Sequence, residues 1–227
     1  MDRESLLSRA WDRNADRWTR TVRGGLIPSR RAGTDEAVVQ AIAARKPRRV
    51  LDVGCGEGWL IRRLRRDVDC TAVGIDGSAR LIEDARAADP DSRYEVVAYA
   101  DLIDGTAGLT DDFDIAVFNY ALFDEKVDRI LAATSALLAP GGAIVIQTLH
   151  PWALSETEAY RDGWRTEDFS AFEGEDWEPM PWFFRTLESW HATVRAAGLA
   201  VTDLTEPKSA ADGRPLSLIM VCKAVAD

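Results

Sequence analysis

The chain has 227 residues, 46% of them apolar, and a formal net charge of −10. That size and apolar fraction suit one globular domain with a substantial core and exclude a disordered chain. No stretch nears the roughly 20 apolar residues of a membrane span and no apolar signal core opens the chain, so a cytoplasmic protein is expected. The acidic balance weighs against a nucleic-acid partner, whose phosphates need neutralising. Three cysteines without a CxxC pair, beside only two histidines, argue for reduced thiols and no metal site.

In chain order, the first 20 residues read as an amphipathic helix, with Leu7, Trp11, Asn14 and Trp18 on one face. Trp11 and Trp18 suit a core or a lid, and a buried Asn14 needs a partner, either a bound ligand or a neighbouring backbone group. The arginines of this region and of 62–66 read as solvated helix faces. Thr34 is expected to cap a helix carrying Val38, Val39 and Ile42. Strands are predicted at 48–53, 70–75, 93–98, 113–119 and 143–149. Helical patterns alternate with them, one capped by Ser78 and one opened by Asp124, which is the signature of a parallel sheet with crossover helices. Pro140-Gly141-Gly142 breaks the chain before the fifth strand.

Residues 151–184 interrupt this alternation with an acidic stretch dense in Trp, Tyr and Phe, too long for a simple connection. A helix then carries Leu187, Trp190 and Val194 on one face and ends at Gly198. Two more strands, 199–204 and 216–224, are joined without a helix, so they should form an antiparallel hairpin.

The densest chemical signal is Val50-Leu51-Asp52-Val53-Gly54-Cys55-Gly56-Glu57-Gly58-Trp59-Leu60, an apolar strand running into a glycine-rich turn and a helix. Glycines there let the backbone pass close to a ligand. The next strand ends in Asp76-Gly77, a position from which a carboxylate can take both hydroxyls of a ribose. The glycine spacing is GxGxG rather than the GxGxxG of dinucleotide sites. Asp52 would repel a pyrophosphate but suits a ligand carrying an ammonium and a sulfonium.

This segment resembles motif I of the class I S-adenosylmethionine (SAM)-dependent methyltransferases, and the resemblance continues in order over residues 48–150. Asp76 matches the ribose acid, Ala100-Asp101-Leu102 the adenine segment, the 113–119 strand ending in Asn119 the motif beside the methyl donor, and Leu137-Leu138-Ala139-Pro140-Gly141-Gly142 the turn before strand five. The family implies a doubly wound, mostly parallel α/β sheet of seven strands, order 3-2-1-4-5-7-6 with strand seven antiparallel and helices on both faces. It also implies SAM as methyl donor and S-adenosylhomocysteine (SAH) as product. Arg185-Thr186-Leu187 and the following helix resemble small-molecule members. Asn119-Tyr120-Ala121-Leu122 lacks both prolines of the box common in enzymes that methylate amide or base nitrogens, which weakens that chemistry here.

The resulting expectation is one domain: a helical lid over 1–33, a SAM-binding core over 48–150, an aromatic substrate lid over 151–184, and a closing helix and hairpin over 185–227. The donor-binding candidates are Asn14, Trp18, Asp52, Gly54, Cys55, Gly56, Asp76, Gly77, Ala100, Asp101, Leu102 and Asn119. The acceptor-binding candidates are Tyr120, Trp152, Trp182 and Arg185, the last gripping an acceptor carboxylate or pairing with Glu178 or Glu188. His150 ends the fifth strand at the edge where such sheets bind ligands and precedes Pro151, so it is the candidate general base, or else a residue that orients the lid. The acceptor is expected to be a small, partly apolar molecule and the protein a monomer or homodimer, with no metal. A SAM-binding module without catalysis and an NAD-dependent oxidoreductase are the alternatives.

Overall fold

The computed structural model describes residues 3–110, 112–154, 159–170, 172 and 176–225. Helix α1 (Arg3–Arg23) is followed by a kinked π-helical turn (Arg30–Thr34) that runs directly into α2 (Asp35–Ala43). Thr34 therefore has helical backbone angles and makes no capping hydrogen bond, unlike the expected N-cap, because the chain is already helical when it reaches this residue. The core then alternates: β1 (Arg49–Val53), α3 (Trp59–Asp67), β2 (Thr71–Asp76), α4 (Ala79–Ala88), β3 (Arg93–Val96), α5 (Tyr99–Ile103), β4 (Phe113–Asn119), α6 (Val127–Ser135) and β5 (Leu138–Leu149). The segment after β5 holds a short hairpin, β6 (Gly163–Glu167) with β7 (Met180–Phe184), and the chain closes with α7 (Leu187–Ala196), β8 (Leu199–Thr205) and β9 (Ser217–Ala224).

The main sheet has seven strands in the order β3-β2-β1-β4-β5-β9-β8. Strands β1 to β5 are parallel, and β9 runs antiparallel between β5 and β8. With the inserted hairpin set aside, this is the order and the antiparallel last strand that the sequence motifs implied. The connection between β8 and β9 has no helix, so only an antiparallel return was available.

Strand alternation divides the core. Val50, Ile115, Val117 and Val145 face α2 and α3, while Leu51, Val53, Phe118 and Ile146 face α6 and α7. Each fully buried side chain of this kind contributes about 1.5–3 kcal/mol, so both sheet faces are held firmly against helices. Ser78 caps α4 by accepting from the Leu81 N–H at 3.5 Å. Asp124 accepts from the Glu125 and Lys126 N–H groups, and α6 begins at Val127, slightly later than the sequence pattern suggested. Strand β5 starts five residues earlier than predicted: Leu138 pairs with Phe113 before the Pro140-Gly141-Gly142 irregularity shifts the register.

The 151–184 excursion contains a hairpin that the aromatic composition concealed. Its register, Gly163 with Phe184 through Glu167 with Met180, forms a separate two-stranded sheet. Ala10 of α1 packs into a buried cluster with Phe169, Trp177 and Met180 of this excursion. Asn14 clamps the same junction: its Oδ1 accepts from the Glu178 N–H at 2.9 Å and its Nδ2 donates to the Glu178 carbonyl at 2.8 Å. On its other side α1 is tied to α4 by Thr19 to Asp84 at 2.7 Å and Arg80 to Asp16 at 2.7 Å. Helix α1 thus bridges the core and the insert.

Candidate active site

The parallel strands end on one edge, and the chain winds outward in opposite directions from β1 and β4, which leaves a crevice between their C-terminal ends. Here β1 opens into the glycine turn. Gly54 has a φ of 74°, and a Cβ on it would stand 2.6 Å from the Ala121 Cβ, so only glycine lets the turn pass the segment leaving β4. The Gly54 and Cys55 N–H groups both donate to the Ile75 carbonyl, at 2.8 and 2.9 Å, which ties the turn to β2. Gly56 has a φ of 55° and its N–H donates to Asp76 Oδ2 at 2.9 Å. The other oxygen of Asp76 accepts from the Ser78 N–H at 2.8 Å, so this carboxylate joins two turns at the strand ends.

A cavity of about 390 Å³ lies over this edge. Gly54, Gly56, Asp76, Gly77, Asn119 and Tyr120 line it from the sheet side. Trp11 and Trp18 reach it from α1, and Phe169, Met180 and Trp182 from the insert. Ala100 and the backbone turn at Cys55 line it as well. The Cys55 thiol packs with Ile61, Ile82 and Tyr94, and burial pushes its pKa well up, so it is a core thiol and not a nucleophile.

Charge is distributed unevenly around the cavity. Arg30 is its single basic lining residue among the described residues. It stacks over Trp59 at 4.2 Å and donates through Nε to Asp35 at 2.9 Å. Burial lowers its pKa, opposed by Asp35. Glu57 lines the cavity too, but its carboxylate is held by Arg62 at 2.7 Å and by Arg23 at 2.8 Å. Beneath the glycine turn lies Asp52, 1% exposed, with Oδ1 lacking any hydrogen-bond partner. Burial, reinforced by Asp76, pushes its carboxyl up to about 8, against the pull of Arg30. The Asn119 Oδ1 is likewise buried and unpartnered. Tyr99 donates its hydroxyl to the Ala121 carbonyl at 2.8 Å and is raised by burial beyond the ordinary phenol range.

The methyltransferase domain family matches residues 29–204, most of the chain. The chain belongs to this family. Among curated relatives, the ubiquinone biosynthesis O-methyltransferase of Brucella ovis is 33% identical over 104 residues, 45% of this chain and 41% of that protein. The malonyl-[acyl-carrier protein] O-methyltransferase of Enterobacter lignolyticus is 31% identical over 134 residues, 59% of this chain and 50% of that protein. The chain thus matches about half or less of the length of these relatives. Among solved structures, the 1,6-didemethyltoxoflavin-N1-methyltransferase of Burkholderia thailandensis, with 1,6-didemethyltoxoflavin and SAH bound, shares the fold with a TM-score of 0.67 at 18% identity, covering 98% of this chain and 89% of that one.

Several candidate residues lie elsewhere in this methyltransferase domain. Asn14 is fully buried and spends both amide groups on Glu178, so its partner is backbone and not a ligand. Asp101 accepts from the Ala98 N–H at 2.9 Å and caps α5, while Leu102 is buried in the core below. Neither lines the cavity; of that segment Ala98, Tyr99 and Ala100 do. Trp152 is 63% exposed and stacks edge-on against Tyr160, away from the cavity.

His150 also points away. Its Nε2 lies 2.8 Å from Glu206 Oε1, and its Nδ1 accepts from the Trp152 N–H at 3.2 Å. That arrangement places the ring proton on Nε2, facing the carboxylate, and leaves neither nitrogen to take a proton from an acceptor. Leu149, the last residue of β5, lines the cavity, whereas His150 lies just past the strand, before the turn at Pro151, and does not. His150 thus joins the end of β5 to the segment after β8 at the start of the insert, and it does not line the cavity where a general base was expected. Arg185 is 3% exposed and pairs with neither Glu178 nor Glu188; its Nη2 donates to the carbonyls of Asp124 and Glu125 at 2.5 and 2.7 Å.

Arg30, Tyr99, Phe123 and Glu167 line the cavity but were not singled out from the sequence. Tyr99 adjoins the Ala100-Asp101 segment and was within reach of that motif. Arg30 sits among several arginines, and nothing in its spacing sets it apart.

Proposed function

We propose that this chain is a SAM-dependent methyltransferase acting on a small-molecule acceptor. The observation that carries the reading is the cavity over the C-terminal edge of β1, β2 and β4, walled by the positive-φ turn at Gly54 and Gly56 and by Asp76. The residues fit the donor. Asp76 presents a carboxylate where a ribose diol needs an acceptor. Arg30 gives the one positive charge among the described lining residues, and it suits the carboxylate of a methionine moiety. Asp52 lies beneath the turn and outside the cavity lining, but its unpartnered oxygen suits an ammonium group that approaches the turn. Tyr99 and Ala100 offer an apolar wall for a purine.

Bound SAM supplies an electrophilic methyl carbon already activated by its sulfonium. The protein's own part is positional: the glycine turn and Asp76 hold the donor, and the aromatic roof from α1 and the insert excludes water. The unpartnered Asn119 Oδ1 can accept a hydrogen from an acceptor O–H or N–H. The acceptor half of the cavity, with Trp11, Phe123, Phe169 and Trp182, suits a partly apolar or aromatic molecule. The three free cysteines support a reducing, cytoplasmic setting.

Calorimetry with SAH tests this reading. Micromolar binding is expected, roughly −7 to −9 kcal/mol. Asp76→Ala should weaken it by about 1.5–3 kcal/mol, the scale of hydrogen bonds to a charged group. Absence of SAH binding by the intact chain would overturn the assignment.

A further inference from the structure

Beside the main cavity lies a side chamber of about 10 Å³, room for one water-sized group. Phe123, Leu149 and Trp182 line both spaces, so the two adjoin at these three side chains. The chamber is further bounded by Thr148, Trp190 and Arg185. Arg185 is the unusual member. Its guanidinium is 3% exposed and sits beside the rings of Phe183 and Trp190 at 4.9 and 5.1 Å. Nη2 is satisfied by two backbone carbonyls, but buried Nη1 has no hydrogen-bond partner. No carboxylate among the described residues forms an ion pair with it; Asp162, Asp124, Glu125 and Asp128 act on it only through space. A buried donor on a charged group is costly to leave unmet.

We infer that Arg185 Nη1 is a specificity contact of the acceptor site, receiving one oxygen, carbonyl or carboxylate, at the tip of an acceptor whose apolar body lies against Phe123 and Trp182. This inference rests on the methyltransferase reading above and names the acceptor chemistry that the reading leaves open. The chamber's size limits the contact to a single oxygen. The two carbonyl bonds fix the guanidinium, so the free nitrogen is presented in one direction only. Asp124 and Glu167 on the wall of the main cavity oppose an anion in its acceptor half, and Arg30, the one basic lining residue among the described residues, would be taken by the donor carboxylate. The same acids would favour an amine, and that is the rival to be measured.

The experiment compares three probes sharing one ring, indole-3-acetamide, indole-3-acetate and tryptamine, by calorimetry on the SAH-loaded full chain. At least one oxygen-bearing probe should bind about tenfold or more tighter than tryptamine. The acetamide against the acetate tells a neutral carbonyl from a carboxylate. Arg185→Lys keeps a charge able to hold the two carbonyls but presents no second nitrogen, so it should erase the preference while SAH affinity stays within about twofold. A crystal structure of the wild-type ternary complex should place a probe oxygen within hydrogen-bond distance of Nη1, which decides the question even if the lysine variant fails to fold. Equal or tighter tryptamine binding, failure of all three probes to bind, or a preference that survives in Arg185→Lys would overturn the inference. Loss of SAH binding in the wild-type chain would instead overturn the donor assignment.

Discussion

Asp52→Asn separates what the buried acid costs the fold from what it gives the site. In the unfolded chain this carboxyl titrates near 3.9. In the fold, burial and Asp76 raise it to about 8. A folded pKa above the unfolded one means that stability falls as pH rises between the two values, because the unfolded state releases the proton first. The loss runs at about 1.4 kcal/mol per pH unit and reaches up to roughly 4 kcal/mol by pH 7. Asn cannot ionise and escapes that loss, but its amide nitrogen enters a place where Asp52 already has an unpartnered oxygen, at a cost of about 1–3 kcal/mol. The variant should therefore be less stable than wild type at pH 4–5 and more stable at pH 8, and urea melts across that range would show the two curves crossing. A ligand ammonium favours the ionised carboxylate, so wild-type SAH affinity should rise between pH 6 and 8. Asp52→Asn should bind more weakly and lose that rise in calorimetry. Parallel pH profiles of stability, with the variant offset by a constant amount, would refute the account of a buried, proton-holding Asp52.

Two further outcomes follow from the contacts. His150→Ala should leave kcat within a few-fold of wild type and lower stability by about 1–3 kcal/mol, since the Glu206 and Trp152 bonds are structural; a kcat loss of about 100-fold or more with unchanged stability would restore the general-base role. Asn14→Ala strands the Glu178 N–H and carbonyl and loosens α1 from the insert, so stability should fall by about 1–3 kcal/mol and acceptor KM should rise more than the SAH dissociation constant, measurable by steady-state kinetics beside calorimetry.

Sequence alone determined the parts whose information is local. A glycine turn after an apolar strand shows itself because positive φ and close approach leave few other residues possible at Gly54 and Gly56. An acid at the end of the next strand reaches that turn in any parallel pairing of β1 with β2, so Asp76 was legible from its position. The C-terminal hairpin was legible because no helix separates its strands. The tertiary structure decided the partners of polar groups far apart in the chain. Asn14 meets Glu178, His150 meets Glu206, and Arg185 meets the carbonyls after β4. None of these pairings leaves a periodic trace, because a hydrogen bond needs only one matching group brought within about 3 Å by packing. The end of β5 shows the same limit at close range: Leu149 closes the strand and lines the cavity, yet its neighbour His150 turns to Glu206. Which of the two meets the cavity depends on what packs around the strand end, and only the packed fold contains that.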